Sequence, residues 1–387
     1  MRALTFFFVT CALLLACDSV DLIWMPHSAR ADPLFRFINK GRAGFIDRTG
    51  HVVIPPKLRP ISSSDPPFYE GLLSLGVSSG PFLTTKGQVV LDNRFWRIWD
   101  FSEGLAAALQ TSDSKWGYID RSGKFVIAPQ FPFFPEGLVS DFSDGLAAIE
   151  VDGKLGYIDH TGAFVIPRQF ATGTSFEDGI ARVVVTQGPC AYVNYDAVDP
   201  CLTDLQVAPS TGNAGKRTVT ANLCRWTFID KKGNRIMNAE FDAARGFHED
   251  LAAVKVGQSW GFIDKHGTFV IPPIFHGALS FSDGLALVRN DKMSGFIDKT
   301  GALKIPLDSS KAGPFSEGLS VYGRLGEGYI FIDTKGRQAM PDRFVVASRF
   351  VHGLAHVKVN GDPVLAEQGG TFAYIDRKGR RVFSYRP

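Results

Sequence analysis

No basic block or stripe runs through these 387 residues; 42 Lys and Arg are dispersed among 39 Asp and Glu, and the formal net charge is +3. An electrostatic footprint for nucleic acid is therefore missing, and none is expected as a partner. No phosphate loop occurs, and no Gly-x-Ser-x-Gly elbow sits at a strand-to-helix junction. No segment keeps a 3.6-residue apolar period over the ten or more residues that a helix needs. Past the N-terminal segment no apolar run reaches about 18 residues, so no later spanning helix is expected. Cysteine is scarce, with five in all.

The N-terminus reads as an export signal. Arg2 supplies a short positive region, and Ala3 to Leu15 is an apolar run too short for a comfortable span. Two processing sites compete. Leu14-Leu15-Ala16-Cys17 resembles a bacterial lipobox, which would lipidate Cys17. Ala29-Arg30-Ala31 resembles an ordinary small-x-small cleavage site. Either places the remainder outside the cytoplasm, as a periplasmic, lipid-anchored or secreted protein. Residues 1–31 are thus read as leader and 32–387 as the mature chain. Any membrane contact is expected only through the lipid. The remaining cysteines, Cys190, Cys201 and Cys224, lie in one stretch and suggest one disulfide with a thiol left over. Their spacing fits no zinc pattern, and no His falls between them.

What is abundant is Gly (40) and Phe (32), and a repeat accounts for both. A phrase of the form Trp260-Gly261-Phe262-Ile263-Asp264-Lys265-His266-Gly267 recurs nine times, with a period of roughly 34 to 39 residues in most steps. Its Asp slot holds Asp47, Thr84, Asp120, Asp159, Asp230, Asp264, Asp298, Asp333 and Asp376. A Gly follows three residues after each, and an aromatic stands two residues before. A second phrase, Phe281-Ser282-Asp283-Gly284-Leu285-Ala286, alternates with it. Asp250 is the one departure from its Gly slot.

Each repeat reads as three short strands, such as Leu251–Val256, Trp260–Asp264 and Phe269–Ile271. Asp-x-x-Gly predicts a type I turn with a G1 bulge between the last two. The Pro after the third strand is expected to stop pairing there. The Phe of the second phrase is expected to stack between neighbouring repeats.

These residues resemble the WG-repeat family, named for a pair kept here as Trp116-Gly117 and Trp260-Gly261. The resemblance implies a repeat scaffold and assigns no catalytic residue. The expected fold is all-β, a tandem array of about nine three-stranded antiparallel units. Whole units at both ends favour an open superhelix; the alternative is a β-propeller, because the link after each third strand has room for a fourth. One repeat is interrupted by residues 187–224, a Cys-bearing insertion. A smaller insertion, Asn360 to Gly370, falls at the equivalent point of the last repeat.

Candidate chemistry is thin. The repeated Asp residues suit turns better than calcium, because each is a whole repeat from the next. His352 and His356 lie about 13 Å apart along a strand, too far for one metal. No cofactor is expected. Trp96 and Trp99 fall outside the repeated Trp slot and are the candidates for an exposed aromatic surface. The reading is a non-catalytic envelope scaffold that binds a protein or glycan. The alternatives are a structural spacer without a discrete ligand, and a hydrolase acting through an accidental carboxylate pair.

Overall fold

The computed structural model describes residues 33–59, 68–75, 81–91, 95–112, 114–132, 137–185, 224–290, 294–307, 311–324, 327–361 and 369–387. The leader, Cys17, Cys190 and Cys201 lie outside them. Among the described residues the chain forms nine small antiparallel sheets, one per repeat, five with four strands and four with three. The sixth repeat shows the full pattern: Ala243–His248, Leu251–Val256, Ser259–Ile263 and Phe269–Phe275, paired in that order. The fourth strand is the short segment between one repeat's long last strand and the next phrase, and it pairs with the following sheet.

The turn works as its residues dictate. In the sixth repeat Gly267 N–H donates to Asp264 C=O at 3.0 Å. The Asp264 carboxylate accepts the N–H groups of His266 and Thr268, both at 2.9 Å. Gly267 sits at φ 82°, where a Cβ would clash with its own backbone. On Asp298 the Lys304 ammonium, with the Thr300 hydroxyl adding a second bond, holds the carboxyl well below the usual carboxylate range.

Two expectations need correction. The last strand does not stop at proline: it runs through Pro272 and Pro273 to Phe275. Pairing skips from Phe262↔Ile271 to Trp260↔Phe275, so the prolines occupy a bulge where no N–H is required. Three strands per unit also understates five of the nine sheets.

The Gly of the Trp-Gly pair has a steric cause. A Cβ on Gly261 would lie 2.7 Å from Ile271 O and from Pro273 N, because the last strand crosses close above it. Gly44, Gly117, Gly156 and Gly295 meet the same obstruction, and their repeats carry last strands of five to seven residues. In the fifth repeat Thr227 takes the position, and its hydroxyl donates to Ala239 O at 2.9 Å. There the last strand reduces to isolated bridges, Ile229↔Arg235 and Trp226↔Phe241. The eighth repeat, with Ile330, behaves alike through Ile332↔Gln338 and Tyr329↔Phe344.

The core lies between sheets. The aromatic before each turn is buried, and within each body rings meet the Phe of the next repeat's phrase: Phe82 with Phe101 at 5.4 Å, Phe262 with Phe281 at 4.8 Å, Phe331 with Phe350 at 4.9 Å. The rest of the phrase adds polar ties. Ser143 Oγ donates to Phe176 O at 2.6 Å, and Ser316 Oγ to Phe350 O at 2.7 Å. The carboxylates of Glu70, Asp144, Glu249 and Glu317 accept the N–H of Gly104, Gly179, Gly284 and Gly353, each one repeat on. Arg121 and Lys299, on the next repeat's turn, pair with Glu70 and Glu249. Asp250 keeps the left-handed conformation of the glycine it replaces (φ 73°), which Asp tolerates better than most residues, and it pairs with Lys265 at 2.9 Å.

The chain divides into two compact bodies, one of residues up to Gln130 with Ser309–Pro387, the other Phe131–Asp308. Within the first body the last repeat is followed in space by the first. Phe35 meets Tyr374 at 5.4 Å, the place of a phrase Phe. Tyr374 Oη donates to Arg36 O, as Tyr157 Oη donates to Thr174 O between consecutive repeats. The Cα of Gly50 packs against Val382, as Gly267 packs against Met237.

Candidate binding surface

The third sheet begins with the two-residue edge strand Arg97–Ile98. Trp96 N–H donates to Leu109 O at 2.8 Å and Trp99 N–H to Ala107 O at 2.9 Å, so the backbone is held on both sides of it. Trp96 and Trp99 are each 39% exposed, high for the largest apolar side chain. Trp99 lies flat on Trp116, centroids 5.9 Å apart and planes within 15°. Trp116, the tryptophan of the repeat's own pair, is buried and gives Trp99 a rigid backing. The Arg97 guanidinium rests 4.8 Å from the Trp96 ring centre. The structure thus gives the two candidates separate partners, Trp116 and Arg97. Asp100 follows at once, half-buried, with burial raising its carboxyl pKa to about 6. This combination offers flat apolar faces beside a polar acceptor, a chemistry suited to the C–H face of a sugar ring or to a peptide side chain.

Cys224 is disulfide-bonded and packs beside Trp226 and Phe228. The ends of the Cys-bearing insertion are held together: Val184 pairs with Trp226, and Val185 N–H donates to Arg225 O at 3.0 Å. The smaller insertion closes similarly, with Thr371 N–H on Asn360 Oδ1 at 2.8 Å. Both insertions therefore leave between the strand after the phrase and the strand of the Trp-Gly pair.

The histidines go separate ways. His356 Nε2 bonds Tyr385 Oη at 2.8 Å, within a stack of Phe372 and Tyr374. His352 stands in the acidic slot of the last repeat's phrase. The letters Gly76-Val77-Ser78-Ser79-Gly80 match Gly-x-Ser-x-Gly, but no helix follows that segment among the described residues, and its own residues lie outside them. Sequence reasoning passed over Asp100 and Arg349, charged residues just before a phrase Phe, because a single charge next to a repeat carries no period.

A family described as WG containing repeat matches residues 44–58, 116–154, 156–186, 226–258, 260–293 and 295–322. No curated protein matches the chain. Among solved structures, the crystal structure of the eukaryotic initiation factor is similar at 9% identity and TM-score 0.55, over 92% of this chain and 96% of that one. BamB from Moraxella catarrhalis is similar at 11% identity and TM-score 0.33, over 85% and 93%. The WD40 beta propeller domain of Doa1 is similar at 10% and TM-score 0.30, over 66% and 86%. At these identities the first likeness concerns the fold alone.

Proposed function

We propose that this chain, which belongs to the WG-repeat family, is a non-catalytic binding scaffold of the cell envelope that holds a glycan or a protein on the Trp96 and Trp99 surface. The observation that carries the reading is the indole of Trp99, exposed at 39% yet stacked on a buried tryptophan. An aromatic already immobilised loses little entropy on contact with a ligand. The export leader read from the sequence supports the location, and so does the Cys224 disulfide, since such bonds persist outside the reducing cytosol. Glycan is the favoured ligand, because stacking against an indole needs no pocket.

The test is co-sedimentation of the full chain with insoluble envelope glycan, alongside Trp96→Ala and Trp99→Ala. Loss of binding in Trp99→Ala at unchanged melting temperature supports the surface. Equal binding by all three chains moves the site elsewhere, and no binding by any chain removes glycan as the ligand.

A further inference from the structure

In seven repeats the third residue of the Phe phrase is acidic: Glu70, Glu103, Asp144, Asp178, Glu249, Asp283 and Glu317. In the last repeat it is His352, in the same left-handed conformation at φ 52°. The change of sign extends along the sheet. From Phe344 to Gly361 the sequence contains no acidic residue, and it contains Arg349, His352, His356 and Lys358. Arg48, on the turn of the first repeat, lies near enough to oppose protonation of His352. Glu317 acts on His352 in the opposite sense, with its carboxylate bonded to Gly353 N–H.

Arg349 stands immediately before the buried Phe350. Its Nη2 is sealed from solvent and makes no hydrogen bond among the described residues, while the residue as a whole is half-open. Burial draws its pKa down to about 10, which leaves it a cation at neutral pH. Three other arginines are matched. Arg121 and Arg225 pair with Glu70 and Asp242, and the buried Arg245 donates Nε to Ala278 O and lies over Trp260. The loop under Arg349 is fixed as well: Ser348 Oγ accepts His356 N–H at 2.9 Å and donates to Arg349 O at 3.2 Å. A desolvated guanidinium without a counter-charge is costly, and a fixed loop leaves it little freedom to escape.

We propose that Arg349 anchors an oxyanion site in the last repeat, taking a small solute by a carboxylate or phosphate group, with His352 keeping out of this phrase the carboxylate that the other seven repeats carry. The planar fork of a guanidinium matches two oxygens of either group, and Arg349 as a whole keeps part of its surface open to solvent. The site is separate from Trp96 and Trp99 and does not depend on what they bind.

The experiment is thermal unfolding of the full chain with inorganic phosphate, acetate or sulfate, each against sodium chloride at matched ionic strength. At least one oxyanion is expected to raise the melting temperature beyond chloride, and the arm that responds separates carboxylate from phosphate chemistry. R349Q keeps most of the stem and removes the charge. It is expected to lose the response while melting no lower than the parent in anion-free buffer. H352E restores the acid of the other repeats and is expected to weaken affinity about tenfold or more with Arg349 in place. No shift beyond chloride, or an equal shift in R349Q, overturns the site. An R349Q chain that melts far below the parent without anion assigns the guanidinium to structure and overturns it too. An unchanged H352E response overturns the role given to His352.

Discussion

Glu317 accepts the backbone N–H of Gly353 through both carboxylate oxygens, at 3.1 and 2.9 Å. The two residues are 36 apart in sequence and occupy neighbouring slots of the same phrase. Glu317 holds φ 55°, a conformation that costs a residue with a side chain something to adopt. The inter-repeat bond offsets that cost. Glu317→Ala is expected to lose about 1.5–3 kcal/mol in urea unfolding, the range for a hydrogen bond to a charged group. Glu317→Gly separates the two effects, since it relieves the backbone and also lacks the carboxylate. If Glu317→Ala, which keeps the strained backbone and lacks the carboxylate, is as stable as the parent, the tie contributes nothing.

The Gly of the Trp-Gly pair yields a second prediction. Gly261→Thr introduces a Cβ into the 2.7 Å approach of Ile271 O and Pro273 N, so the last strand must move. A loss of more than about 2 kcal/mol is expected, together with faster amide exchange in Phe269–Phe275. The fifth repeat shows the tolerated solution, with Thr227 present and the ladder reduced to bridges. Gly261→Thr with an intact, slowly exchanging last strand would remove the steric account.

Much of this was legible in the sequence. The nine repeats, the Asp-x-x-Gly turns and the stacking Phe follow from spacing alone, because each depends on a local residue type in a fixed register. The short extra strands were not legible. Thr172–Gly173 and Gly277–Ala278 are two residues long and half or wholly glycine and alanine, too little to read as strands, and they pair because the next sheet presents an open edge to them. The strand through Pro272 was hidden for a related reason: a bulge cancels the usual penalty for a missing N–H, and that is a property of the pairing. Trp96 and Trp99 were found as surface aromatics because they break the Trp period. That Trp99 is backed by Trp116 was beyond sequence, since Trp99 follows the edge strand and Trp116 lies on a strand that comes beside it only through the strand between them. Arg349 was missed because its burial comes from the packing of the last repeat.

Trp99 and Trp116 stack on one another but differ in role, and their substitutions should differ accordingly. Trp116 is 3% exposed, so Trp116→Ala leaves a cavity and is expected to cost about 3–5 kcal/mol. Trp99→Ala removes one half-exposed ring and is expected to cost about 1 kcal/mol. Chemical denaturation of the two variants measures this directly. Equal losses would make Trp99 part of the core and weaken its assignment to binding.

His352 brings pH into the contact between the last and first repeats. Burial lowers its pKa, the Arg48 charge lowers it further, and Glu317 opposes both. The folded state therefore holds its proton less tightly than the unfolded chain does. In the window below the unfolded value of about 6.5, unfolding takes up a proton, so stability is present at neutral pH and is lost as pH falls. Other groups titrate in the same range, and the informative quantity is the difference between the parent and His352→Gln. That difference is expected to grow in favour of the variant from about pH 7 down to about pH 5, followed by urea midpoints at fixed salt. His352→Glu should go further at neutral pH, because a carboxylate in this slot faces Arg48 as Glu70 faces Arg121. A difference curve that stays flat would mean that His352 is as free to protonate in the folded chain as in the unfolded one. The contact between the two ends would then be insensitive to acid through this residue.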